Sequence, residues 1–102
     1  MTARKTTRKT TKKARKAARK PADLAGRTPE QWLEAYRQMV RIRAFEDNAN
    51  ELYLQAKMPG LTHMSSGQEA SAVGVCEALD ERDKITSTHR GHGHCVARGA
   101  TF

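Results

Sequence analysis

The sequence has no acidic residue in its first twenty positions, only two cysteines and three prolines in 102 residues, and no long apolar run. Each shortage excludes something. No stretch approaches the roughly 20 apolar residues that span a bilayer, so no membrane anchor is expected. No apolar region follows the basic start, which argues against a secretory signal. An amphipathic mitochondrial transit helix is equally disfavoured, because alanines and Met1 are the only apolar residues there. Cys76 and Cys95 form neither a CxxC pair nor a secreted-type framework, and reduced thiols in a cytoplasmic setting are expected. A Walker-type glycine-lysine loop is also missing.

What is present is unevenly distributed. Residues 1–20 carry ten Lys or Arg, leaving nine basic against eleven acidic groups in the remainder. The net charge of +8 therefore describes a basic tail on a slightly acidic body. Built from Lys, Arg, Thr and Ala, the tail cannot bury enough surface to offset about 1–2 kcal/mol per residue of backbone ordering. It is predicted to be a disordered arm, continuing through a linker that ends at Gly26. Two readings fit it: a solubilising extension, or a sequence-independent nucleic-acid binder whose affinity falls with salt. No aromatic side chain is interleaved for stacking on bases.

The body, residues 27–102, is too short for more than one small domain. Thr28-Pro29-Glu30-Gln31 reads as a capping box with proline at the first helical position. Leu33, Tyr36, Val40, Ala44 and Leu52 then recur at helical spacing, flanked by Trp32, Met39 and Phe45. This predicts a helix to about Lys57, too long to bury its stripe on so small a body. Pro59-Gly60 turns the chain. Ser66 and Glu69 suggest a second capping box, opening a helix that buries Ala70, Val73, Val75, Cys76 and Leu79 and ends near Asp80. Gly74 among small residues suggests close packing against another backbone. Lys84 to Thr88 reads as a short strand, and His94 to Arg98 as a helical turn that Gly99 stops. One short strand cannot make a sheet. The expected class is α/β, represented here mostly by helices, with the other strands outside the chain.

Three of the four histidines, His89, His92 and His94, lie within six residues, among Arg90, Gly91, Gly93 and Cys95. Glycines that let backbone approach and an arginine with a planar fork of donors suit an anion or a phosphate-bearing cofactor. Zinc is the competing reading, but two separated ligand pairs with structural-site spacing are not found. Cys95 as a nucleophile competes with Cys95 as a small buried residue. His63 follows the Pro-Gly turn and sits on a loop, where histidines are more often functional than in a helical stripe.

Four motifs occur in one order: Met39-Val40-Arg41-Ile42-Arg43-Ala44-Phe45-Glu46, Gly60-Leu61-Thr62-His63, Gly67-Gln68-Glu69-Ala70 and Thr88-His89-Arg90-Gly91-His92-Gly93. Together they resemble the start of the alpha subunit of thiamine-diphosphate-dependent 2-oxo acid dehydrogenases, of the pyruvate and acetoin type, over about residues 29–100. The resemblance implies an α/β thiamine-diphosphate-binding fold and an α₂β₂ assembly with a beta subunit, the cofactor lying between the two. It implies an oxidoreductase that passes its product to a lipoyl group of an acyltransferase component. His63 would contact substrate, and His92 would lie near the same pocket, making both candidate catalytic residues. His89 and Arg90 would bind the cofactor's diphosphate. The family's Gly-Asp-Gly…Asn motif, which holds Mg²⁺, is expected beyond residue 102, and the chain by itself is expected to be inactive. The basic tail falls outside the family pattern. A small DNA-associated protein acting through that tail is the alternative.

Overall fold

The computed structural model describes residues 25–102. The predicted disordered arm over residues 1–20, and all of the linker before Ala25, lie outside the described residues. Three helices pack on one another in all three pairings: α1 (Pro29–Leu54), α2 (Glu69–Glu77) and α3 (His92–Ala97).

α1 starts where its capping box predicts. The Gln31 backbone N–H donates to the Thr28 hydroxyl at 3.3 Å, and the Thr28 N–H donates back to the Gln31 side chain at 2.8 Å. Its 26 residues make a rod of about 39 Å. It stops three residues short of Lys57, the predicted end. Ala56 adopts φ 54°, its N–H bonds to the Tyr53 carbonyl at 2.9 Å, and the Lys57 N–H reaches the Leu52 carbonyl at 3.0 Å. That is a Schellman motif with alanine in the left-handed position, where glycine is the usual signal.

The buried face of α1 differs from the predicted stripe. Ala35, Ile42, Glu46 and Ala49 are buried, with Met39 and Phe45 packed beside them. Leu33, Tyr36, Val40 and Leu52 are exposed. At 100° per residue the seam lies about 170° around the helix from the predicted stripe, on nearly the opposite face. The charge of Glu46 masked this line in the sequence, because a buried carboxylate interrupts an otherwise apolar spacing.

α2 begins at Glu69, and the predicted Ser66–Glu69 capping box does not form. Gly67 has φ 93°, outside helical space, so no helix can start at Ser66. A turn closes instead through the Gln68 N–H on the Ser65 carbonyl at 2.9 Å. The freed Glu69 carboxylate caps the Gly67 N–H at 2.9 and 3.1 Å and accepts from Arg43 Nε of α1 at 2.6 Å. Ala72, Val73 and Cys76 are buried on α2, whereas Ala70 and Val75 are exposed. The helix ends at Glu77 rather than near Asp80. Gly74 faces open space; the close-packed glycine is Gly93 of α3.

The Arg43–Glu69 contact makes one prediction. The Arg43 hydrogen bond, followed by the Gly67 N–H, holds the Glu69 carboxyl down from an ordinary 4.5 to about 2. An unfolded chain therefore takes up this proton more readily than the folded one. The stabilisation is complete above about pH 4.5 and is lost as pH falls towards about 2. Because Arg43 is half-exposed, solvent screens the pair and the contribution at neutral pH is small. Glu69→Gln is expected to flatten the acid limb of an unfolding curve followed by helical circular dichroism. A limb as steep as in the unsubstituted chain would show that other carboxylates control it.

Among the described residues there is no strand, and residues 84–88, predicted as one, carry no regular secondary structure and are exposed. Their exposure has a physical reason: a strand needs a neighbour to take its backbone N–H and C=O groups. Arg98 steadies the preceding turn, donating to the Asp80 and Asp83 carbonyls at 3.2 Å each. No described helix is long and apolar enough to cross a membrane.

Candidate functional site

The loop between residues 84–88 and α3 is held by a few short contacts. Ser87 Oγ and His94 Nδ1 are 2.9 Å apart, tying the segment to α3. Gly91 lies so close beneath that a Cβ on it would meet Ser87 Oγ at 2.9 Å and Ser87 Cβ at 3.1 Å. Gly93 is seated against α1 and α2: its missing Cβ would fall 3.1 Å from Ala72 Cβ and 3.3 Å from Ile42 Cγ2. The first glycine lets the loop fold over, and the second lets α3 reach the core. α3 then stops at a second Schellman motif, with Gly99 at φ 93° in the predicted place.

This packing brings two of the four candidate residues together. The His63 and His89 rings meet edge to face, with centroids 5.3 Å apart and planes 70° apart. The two loops on which they sit are 26 residues apart in the chain, and both rings are exposed. Arg90 follows His89, exposed and with no ion pair to any described residue. An exposed guanidinium beside two imidazoles suits a doubly or triply charged anion.

His92 takes a different position. It packs edge-on against Phe45 of α1, with centroids 5.5 Å apart, and its Nδ1 lies 3.3 Å from Glu46 Oε1. Glu46 is fully buried, and the same Oε1 accepts a hydrogen bond from Ser65 Oγ. Sequence reasoning passed over Glu46 and Ser65. The available signal was Glu46 standing on the line through Ala35, Ile42 and Ala49, where a charge needs a buried partner. Cys95, expected to be buried, is exposed, while Cys76 is buried, and burial pushes its thiol up. Among the described residues, no three His, Cys, Asp or Glu side chains gather as a metal centre. His89, His92 and His94 point to three different neighbours.

Residues 37–102 match the family described as the dehydrogenase E1 component. The chain is 54% identical over 72 residues to the alpha subunit of the acetoin:2,6-dichlorophenolindophenol oxidoreductase of Bacillus subtilis, covering 71% of this chain and 22% of that protein. It is 43% identical over 82 residues to the pyruvate dehydrogenase E1 component subunit alpha of Rhizobium meliloti, covering 76% and 24%. To the chloroplastic pyruvate dehydrogenase E1 component subunit alpha-3 of Arabidopsis thaliana it is 38% identical over 74 residues, covering 72% and 17%. No solved structure matches it. The chain thus spans about a fifth of the length of these relatives, and within that span it belongs to the dehydrogenase E1 component family.

Proposed function

We propose that this chain supplies the N-terminal part of the alpha subunit of a cytoplasmic, thiamine-diphosphate-dependent dehydrogenase acting on pyruvate or acetoin. Residues 27–102 would belong to an α/β cofactor-binding domain whose sheet comes from sequence outside this chain. The complete enzyme would pair with a beta subunit as α₂β₂ and hand its product to the lipoyl group of an acyltransferase component. The observation that carries the reading is Arg90, exposed and unpaired among the described residues, beside the His63–His89 ring pair.

The residues fit the diphosphate end of the cofactor. Arg90 would clamp it bidentately, and His89 would add a neutral or positive donor. His63, in edge contact with His89, would stand where a substrate carboxylate or carbonyl approaches and could hydrogen-bond it. Thiamine diphosphate, when bound, supplies the electron sink that such chemistry requires. Ligands for Mg²⁺ would have to come from elsewhere in the alpha subunit. The ten positive charges of residues 1–20 support a separate property, salt-sensitive and sequence-independent phosphate binding.

A chimera tests the reading. Residues 29–100 replace the matching segment of the Bacillus subtilis alpha subunit, which is then assembled with its own beta subunit. Acetoin-dependent reduction of dichlorophenolindophenol within about tenfold of the parent enzyme is expected, since tenfold corresponds to about 1.4 kcal/mol of misplacement. A folded, assembled chimera without thiamine-dependent turnover would sink the proposal.

A further inference from the structure

Glu46 is a fully buried carboxylate with only one oxygen engaged. Oε1 accepts from Ser65 Oγ, while Oε2 has no partner among the described residues. His92 Nδ1 is likewise buried and unpartnered, although it lies 3.3 Å from Oε1, off the line of a hydrogen bond. The Glu46 carboxylate and the facing His92 ring thus each hold one buried polar atom without a partner among the described residues. Buried polar groups without partners are costly, and the large majority find one. A proton on Nδ1, turned onto the Glu46 carboxylate that it already approaches at 3.3 Å, gives this buried ring nitrogen a partner.

Resting on the reading of residues 89–92 as part of the cofactor loop, we propose that Glu46 is the positioning residue for His92. Its carboxylate holds the imidazole as the Nδ1–H tautomer. The proton on Nδ1 leaves Nε2 as the ring's acceptor, able to take a hydrogen bond or a proton from a hydroxyl-bearing group bound beside the loop. Three further contacts keep the ring in place. Phe45 meets it edge-on, with planes 64° apart. Gly93, the next residue, is wedged between Ala72 and Ile42. Ser65, at the turn before α2, fixes the carboxylate from the other side. The arrangement is a carboxylate–histidine pair of the kind that sets a tautomer wherever a histidine must present one defined nitrogen. α1, the turn at Ser65 and α3 each contribute one member of the cluster.

The test is the ring ¹⁵N NMR spectrum of the full 102-residue chain, labelled in histidine, above the pH at which its histidines titrate. The His92 signals are identified by their disappearance in His92→Asn. We expect His92 to show a protonated Nδ1 and an unprotonated Nε2. In Glu46→Leu, which removes the acceptor but keeps the bulk, at least half of the population should move to the Nε2–H form, with the other three histidines unchanged. A wild-type His92 that carries its proton on Nε2, or stays doubly protonated, overturns the proposal. So does an unchanged His92 in a folded Glu46→Leu chain. Should that variant fail to fold, the wild-type spectrum still decides. The measurement needs no cofactor, so an inactive chimera with an Nδ1–H His92 would fail the enzymatic reading alone.

Discussion

Ile42→Ala is expected to leave the three-helix unit largely unfolded. Ile42 is fully buried, while most of the apolar residues buried with it are small: Ala35, Ala49, Ala72, Val73, Cys76 and Val96. Removing a buried isoleucine to Cβ costs about 2–5 kcal/mol, with the upper part of the range where neighbours cannot collapse into the space. Here they cannot, because Gly93 has no side chain to move and Ala72 ends at Cβ. A unit with so small a core has little stability in reserve, since even ordinary domains hold only about 5–15 kcal/mol. Helical circular dichroism in a urea titration should show the folded baseline lost or greatly shortened. Gly93→Ala probes the same contact from the other side. Its new methyl would stand 3.3 Å from Ile42 Cγ2 and 3.1 Å from Ala72 Cβ, neither of which can swing away. Overpacking of about 1–3 kcal/mol should outweigh the gain of up to about 1 kcal/mol from replacing a helical glycine. Because Ile42→Ala removes the clashing Cγ2, the double variant should lose less than the two single losses combined. Strict additivity would mean that α3 shifts away rather than packing on Ile42.

Much of this arrangement was legible because its signals are local. Thr28, Pro29 and Gln31 satisfy the first turn of α1 wherever that helix goes, and Gly99 ends α3 by its own backbone freedom. What was not legible depends on partners distant in sequence. The seam of α1 follows Glu46 because Ser65 and His92 come to meet it, and nothing near residue 46 announces that. Ser66 and Glu69 have the spacing of a capping box, yet Gly67 between them bends the chain, and Arg43 on another helix takes the carboxylate. Ala56 closes α1 in a conformation that alanine seldom adopts. The strand expected at Lys84 to Thr88 has the right residues, but a strand is a relationship between two segments, and the described residues hold only one of them.

The candidate site divides along the same line. His63, His89, Arg90 and His92 stood out as residue types on loops, and the resemblance to the dehydrogenase alpha subunits rested on their order along the chain. That His63 touches His89 follows from the packing of α3 on the other two helices, which no spacing encodes. Nor does spacing separate His92 from its neighbours. The fold turns it towards a buried carboxylate, leaving Arg90 in solvent, so one short loop presents a cation outward and an oriented imidazole inward.

Arg90→Ala, placed in the chimera with the Bacillus subtilis subunits, is expected to weaken thiamine diphosphate binding far more than it slows turnover. Hydrogen bonds to charged groups contribute about 1.5–3 kcal/mol, so the concentration of cofactor needed for half-maximal activity should rise roughly 10- to 150-fold. At saturating cofactor, kcat should stay within a few-fold, because Arg90 would hold the diphosphate and not the reacting atoms. Arg90→Lys should recover only part of the loss. An ammonium keeps the charge but offers no planar fork for two phosphate oxygens. Added salt should weaken binding less in the alanine variant than in the parent, since one screened contact is already gone. The stability of the fold should be untouched, as the exposed Arg90 side chain has no ion pair among the described residues. That separation makes the experiment decisive. A folded Arg90→Ala chimera with unchanged cofactor affinity would remove Arg90 from the diphosphate site, and an equal fall in kcat and affinity would place it at the chemistry instead.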